Sequence, residues 1–125
     1  SLDELLVMHR KKTGELIRAS ILFPAELYDA PADVRESLGS YAENIGLAFQ
    51  IKDDILDYEG NAEIVGKPVG SDEKNRKSTF VTMMGPDRAR EYLNKTVEQA
   101  ASALKDIKNS DFLVETAYYI AARDR

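Results

Sequence analysis

Apolar residues recur at helical spacing along most of the chain. From Leu2 to about Phe23, Leu2, Leu5, Leu6, Leu16 and Ile17 form one stripe. On a helical wheel His9, Thr13 and Ser20 fall in the middle of that stripe and Lys12 at its edge, while Lys11, Gly14, Glu15 and Arg18 make a polar face. An inward face with this many polar groups is more than a plain core helix needs. Pro24 and Pro31 frame a short connection. A second, long helix is predicted over about Val34 to Tyr58, with Val34, Leu38, Tyr41, Ala42, Ile45, Ala48, Phe49 and Leu56 as its stripe. Asp33 followed three residues later by Glu36 resembles a capping box. Beside the apolar stripe run Gly39, Gly46, Gln50, Asp53 and Asp57. An interior glycine costs about 1 kcal/mol relative to alanine, so the two glycines point to close approach by a neighbour.

A glycine-rich, charged loop is predicted from about Glu59 to Asn75, then a short helix over Arg76 to Met84 with Gly85 as its stop. Pro86 suits the first position of the next helix, to about Lys108, and Ser110 is the expected cap of a last helix ending near Ala122. Met83 and Met84 read as core, and Ala100, Ala101 and Ala103 as a close-packing face. There is no strand pattern, repeat or low-complexity tract. The fold class is therefore all-α, a helical bundle or part of one.

Composition narrows the function classes. A length of 125 residues fits one domain. Seventeen basic against 22 acidic residues give a net charge of -5 with no basic block, which offers no electrostatic surface for nucleic acid. The absence of cysteine excludes disulfides and thiolate metal sites, and the single histidine, His9, excludes a multi-histidine zinc site. No apolar run reaches the roughly 18 residues of a membrane span, and no signal peptide is visible. The expected class is a soluble, cytoplasmic domain that binds any metal through carboxylates. The chain opens at Ser1, already in helical rhythm, which reads as a fragment boundary.

Three features carry candidate chemistry. Asp53 and Asp57 lie one helical turn apart on one face, an unfavourable like-charge pair with no Lys or Arg three or four residues away. Such a face suits a hard cation, Mg²⁺ above all, which takes one or two carboxylates and completes its shell with water and phosphate oxygens; a solvated acidic face is the plain alternative. Lys12 and Thr13 lean inward, where an ammonium reaches an anion and a hydroxyl dipole faces a positive centre; the alternative is a lysine stem laid along apolar surface. Gly66 and Lys67, with Lys77, sit around the loop, where lysines can fold over a phosphate; a solvated loop is the alternative. Together the three make a kit for handling a diphosphate ester. His9 reads as a satisfied or lining histidine rather than a base.

The runs His9-Arg10-Lys11-Lys12-Thr13-Gly14, Gly46-Leu47-Ala48-Phe49-Gln50-Ile51-Lys52-Asp53-Asp54-Ile55-Leu56-Asp57 and Gly66-Lys67-Pro68-Val69-Gly70-Ser71-Asp72, with Lys77-Ser78-Thr79, resemble those of trans-isoprenyl diphosphate synthases of the bacterial farnesyl/geranylgeranyl type. The likeness runs along nearly the whole chain, through its ending Tyr119-Ile120-Ala121-Ala122-Arg123-Asp124-Arg125. It implies the larger isoprenoid synthase helical fold, and condensation of an allylic diphosphate (dimethylallyl, geranyl or farnesyl) with isopentenyl diphosphate by a homodimer. Asp53, Asp54 and Asp57 match the second aspartate-rich motif and would hold Mg²⁺, or Mn²⁺ in its place. Lys12, Lys67 and Lys77 match lysines that grip the diphosphate; Thr13 and Gln50 match residues facing the reacting carbons. The family's earlier aspartate-rich motif is absent, since Asp53-Asp54 is the one Asp-Asp pair. Residues 1–125 are therefore expected to be the C-terminal half of such a domain, inactive alone. A non-catalytic helical subunit or partner-binding module is the alternative; a terpene cyclase fits the Lys12-Thr13 and Gly66-Lys67 features less well.

Overall fold

The computed structural model describes residues 1–65 and 78–125. Helix α1 (Leu2–His9) passes through a π-helical turn (Arg10–Gly14) into α2 (Glu15–Leu27); α3 (Ala32–Val65), α4 (Phe80–Met84), α5 (Pro86–Ala103) and α6 (Asp111–Ala122) follow. The described residues contain no strand, so the fold is an all-α bundle, in keeping with the isoprenoid synthase helical fold.

Ser1 starts α1 with a capping box: its Oγ accepts the Glu4 N–H, and the Glu4 carboxylate takes the Ser1 ammonium at 2.7 Å. The predicted stop near Phe23 falls short, because Pro24 lies inside α2. The helix ends at Leu27 in a Schellman motif, in which Ala30 N–H donates to the Ala25 carbonyl (2.9 Å) and Asp29 N–H to the Glu26 carbonyl (3.2 Å). Asp29 takes the left-handed position at φ 49°, where glycine would have been the readable signal. Ser20, placed inward on the wheel, is exposed and returns its hydroxyl to the Leu16 carbonyl. The π turn inserts a residue into the helical register, so one wheel cannot serve both halves of the segment.

Helix α3 is the spine, 34 residues and about 50 Å long. It packs against α2, the π turn, α4, α5 and α6. Tyr41, Ile45, Ala48, Ile51 and Ile55 from α3 meet Ala89, Leu93, Val97 and Ala100 from α5 in the core, closed by Leu5, Phe80, Ala117 and Ile120. Tyr41 Oη donates to the Leu113 carbonyl at 2.7 Å, tying α6 to α3, and burial pushes its pKa up to about 12. Asp33 is a first-turn residue rather than a cap, acting on the helix dipole. The helix runs past the predicted break at Glu59, where Arg90 of α5 pairs with the Glu59 carboxylate at 2.7 Å.

Gly85 (φ 85°) and Pro86 separate α4 from α5 as predicted. The start predicted for α4 at Arg76 lies outside the described residues; Thr79 caps the described helix, sharing bonds with Thr82. Helix α5 ends at Ala103, and Asn109 turns the chain at φ 58°. Ser110 holds the cap position of α6, but its hydroxyl donates back to the Ile107 carbonyl (2.9 Å). Met84 packs on the core as expected, but Met83, also read as core, is exposed.

Of the two glycines read as contact points, one is. A Cβ on Gly46 would sit 3.1 Å from the Gly14 Cα, so α3 and the π turn meet backbone to backbone there. A Cβ on Gly39 meets nothing within 4 Å. The two alanine substitutions should therefore move stability in opposite directions. Gly39→Ala is expected to stabilise by about 0.5–1 kcal/mol through helix propensity. Gly46→Ala is expected to destabilise by about 1–3 kcal/mol through overpacking. Equal shifts in chemical denaturation midpoint would contradict this reading of the crossing.

Candidate diphosphate and metal site

The Gly39–Asp57 stripe emerges from the interior. Gly46 and Gln50 are buried, Asp53 is half-buried, and Asp57 is exposed. Asp53 and Asp57 open onto one cleft of about 730 Å³, whose other walls include Lys52, Glu59 and the C-terminal residues Arg123, Asp124 and Arg125. Two carboxylates one turn apart on a rigid helix give hard oxygen donors to open space. That donor set fits a cation that needs one or two carboxylates and keeps its waters. No group of three ligating side chains is assembled among the described residues.

Asp54 is turned inward. Its Oδ2 accepts the Phe80 N–H at 2.9 Å and lies 4.0 Å from His9 Nε2. This carboxylate serves the N-terminus of α4, where the helix dipole favours negative charge. His9 is buried and stacks on Phe80, with centroids 5.3 Å apart and planes at 19°. It lines the core as expected, but its ring nitrogens find no hydrogen-bond partner among the described residues.

Burial is the largest influence on Asp54 and pushes its pKa up; the Phe80 N–H and His9 pull it down, and Asp57 and Asp53 push it up further. A carboxyl whose pKa is higher folded than unfolded makes the native state bind the extra proton between the two values. Stability then falls as pH rises from the ordinary aspartate range through the raised value. Asp54→Asn keeps an oxygen for the Phe80 N–H but cannot ionise. The melting temperature of the wild type should drop relative to Asp54→Asn as pH rises through that window, and a constant difference would contradict this assignment.

Thr13 lies half-buried in the π turn and Gln50 one helical turn beyond Gly46, so both sit on the elements that cross at Gly14 and Gly46. Lys12 is exposed and lines a separate groove with Asp3, Glu4, Val7, Met8 and Lys11. Lys67 and Lys77, with the Gly66–Asp72 run, lie outside the described residues.

Sequence reasoning missed Arg123. Its Nη2 donates to Asp53 Oδ1 at 2.5 Å and to the Phe49 carbonyl at 3.4 Å, and its Cζ stands 4.4 Å from the Phe49 ring centroid. The available signal was Asp53 itself, a carboxylate without a local counter-ion, and an arginine directly after the last apolar turn of the chain.

The geometry has a counterpart in sequence relationships. Residues 1–115 match the family model described as polyprenyl synthetase. The chain belongs to the polyprenyl synthetase family. Among curated proteins of this family it is 41% identical to a farnesyl diphosphate synthase of Micrococcus luteus, over 100% of this chain and 43% of that protein. It is 38% identical to a farnesyl diphosphate synthase of Bacillus subtilis, over 99% of this chain and 42% of that one. A short chain isoprenyl diphosphate synthase of Methanocaldococcus jannaschii is 46% identical over 66% of the chain and 25% of its own length. The chain thus spans less than half the length of these polyprenyl synthetase relatives. Among the described residues no helix is long and apolar enough to cross a membrane.

Proposed function

We propose that the protein carrying this chain is a prenyltransferase of the farnesyl diphosphate synthase type, joining an allylic diphosphate to isopentenyl diphosphate in a cytoplasmic homodimer, and that residues 1–125 are the C-terminal half of its catalytic domain. The observation that carries the reading is the Asp53–Asp57 face, two carboxylates one turn apart opening onto a single cleft. In the reaction the allylic C–O bond breaks and pyrophosphate leaves with the electron pair. The double bond of isopentenyl diphosphate attacks the allylic carbon, and a proton is lost to the departing pyrophosphate.

Asp53 and Asp57 would hold Mg²⁺, or Mn²⁺ in its place, while Asp54, expected to join them, is turned inward onto the Phe80 N–H. When bound, the metal supplies positive charge for the leaving diphosphate oxygens. Lys67 and Lys77 neutralise the same oxygens, and preorganised charge of this kind acts on the transition state more than on the substrate; Lys12, expected to join them, opens onto the separate groove beside Asp3 and Glu4. Thr13 and Gln50 turn oxygen dipoles toward the allylic cation, and the backbone crossing at Gly14 and Gly46 fixes the elements that carry them.

The test is incubation of the full-length protein with geranyl and isopentenyl diphosphates, with Mg²⁺ or with a chelator. A product longer by one isoprene unit, formed only with the metal, is expected. The bare 125-residue chain is expected to give none; normal turnover by it would contradict the half-domain assignment. The exposed face of α2 supports association with more polypeptide: Leu16 (71% exposed), Phe23 (68%) and Leu27 (65%) share one stripe. That stripe also suits a non-catalytic helical subunit, which would yield no product under any metal condition.

A further inference from the structure

His9 ends α1 and leads directly into the π turn that carries Lys12 and Thr13. It is buried, yet both ring nitrogens lack a hydrogen-bond partner among the described residues. Its ring stacks on Phe80, the first residue of α4. A phenylalanine ring would make the same stack without stranding two polar atoms, which burial penalises. What the imidazole adds is polarity toward Asp54. Nε2 stands 4.0 Å from Asp54 Oδ2, with the two side chains 8% and 13% exposed. The tautomer with its proton on Nε2 turns an N–H dipole toward that carboxylate, at a depth where solvent screens it poorly. Asp54 is thus addressed from two elements, by the Phe80 N–H of α4 and by His9 of α1.

We propose that His9 is a positioning residue for the metal cleft: with the Phe80 N–H it holds Asp54 inward, so that the acidic run offers a cation two carboxylates rather than three. This rests on the reading that Asp53 and Asp57 hold such a cation. Asp54 and Asp57 are three residues apart, close enough on a helix surface for one cation to take both once Asp54 is released. A third carboxylate binds the cation more tightly and fills a coordination position. Mg²⁺ has an octahedral shell, and it meets substrate phosphates through the positions that one or two carboxylates leave open. By keeping Asp54 out of the shell, His9 lowers cation affinity and leaves those positions to diphosphate oxygens. The stranded nitrogens lower stability in return, so stability and cleft chemistry make opposite demands on this one side chain.

The test is a titration of the full-length protein with Mn²⁺ alone, reading free Mn²⁺ by electron paramagnetic resonance, alongside thermal unfolding. Wild type is compared with Asp53→Asn, His9→Phe, His9→Gln, Asp54→Asn, and the double variant of His9→Phe with Asp54→Asn. Asp53→Asn is expected to lose one class of site, which identifies the Asp53 site. His9→Phe is expected to tighten that site about tenfold, the gain when a ligand withheld in nine tenths of the molecules is set free. Its melting temperature should equal or exceed that of wild type. In the Asp54→Asn background the same replacement is expected to leave Mn²⁺ affinity unchanged. His9→Gln keeps an N–H donor, so it should bind Mn²⁺ as wild type does while melting lower for want of the stack. Unchanged or weaker binding in His9→Phe overturns the proposal, and so does a tightening that persists without the Asp54 carboxylate. Binding identical in wild type and Asp53→Asn overturns the underlying metal assignment, and the role of His9 with it.

Discussion

On the proposed function, replacing Asp53 with alanine in the full-length protein is expected to lower prenyl-transfer turnover by about two to three orders of magnitude, the scale of removing one preorganised stabiliser of developing charge. The melting temperature should move less than for Asp54→Ala, because Asp53 is half-exposed and an ion pair open to solvent contributes little. Asp54→Ala should behave in the opposite way. Its carboxylate accepts the Phe80 N–H, so truncation strands a donor at the start of α4, at about 1–3 kcal/mol. Steady-state rates and thermal unfolding of the two variants separate the roles of neighbouring aspartates. An Asp54→Ala protein as stable as wild type but as inactive as Asp53→Ala would show that the inward bond is not its function.

The largest effect on stability is expected at Phe80. Its side chain is fully buried, stacks on His9 of α1 and meets Tyr92 of α5 at a centroid distance of 6.0 Å. Its backbone holds Asp54 of α3. One residue therefore joins four helices, directly after the segment that carries Lys77. Phe80→Ala should cost about 3–5 kcal/mol through lost burial and the cavity left behind, a large share of the 5–15 kcal/mol typical of a domain. Denaturant unfolding measures it, and a loss below about 1 kcal/mol would contradict this picture of the core. Because Asp54 and His9 lose their common neighbour, diphosphate binding should weaken as well, although Phe80 does not line the cleft.

The sequence made the helices legible wherever a local signal repeated. The periodic stripe of α3, the Gly85–Pro86 boundary and the Asp53–Asp57 face were all readable from spacing. What escaped it was set by contacts distant in the chain. The π turn at Arg10–Gly14 has no marker of its own and makes sense beside Gly46, whose backbone it touches. Pro24 reads as a terminator, yet α2 passes through it to a Schellman turn on Asp29. A loop is expected from Glu59, yet the Arg90–Glu59 pair sits on a helix that continues to Val65. The three aspartates read as one set because spacing does not say which will be claimed from behind. Asp54 is claimed by Phe80, 26 residues away, and Asp53 by Arg123, 70 residues away.

The most direct measurement of the central claim is a calorimetric titration of geranyl diphosphate into the full-length protein, with Mg²⁺ and with a chelator. Binding that requires Mg²⁺ and is lost in Asp53→Asn is the predicted result. The same affinity with and without the metal would contradict the assignment of this cleft to metal-held diphosphate.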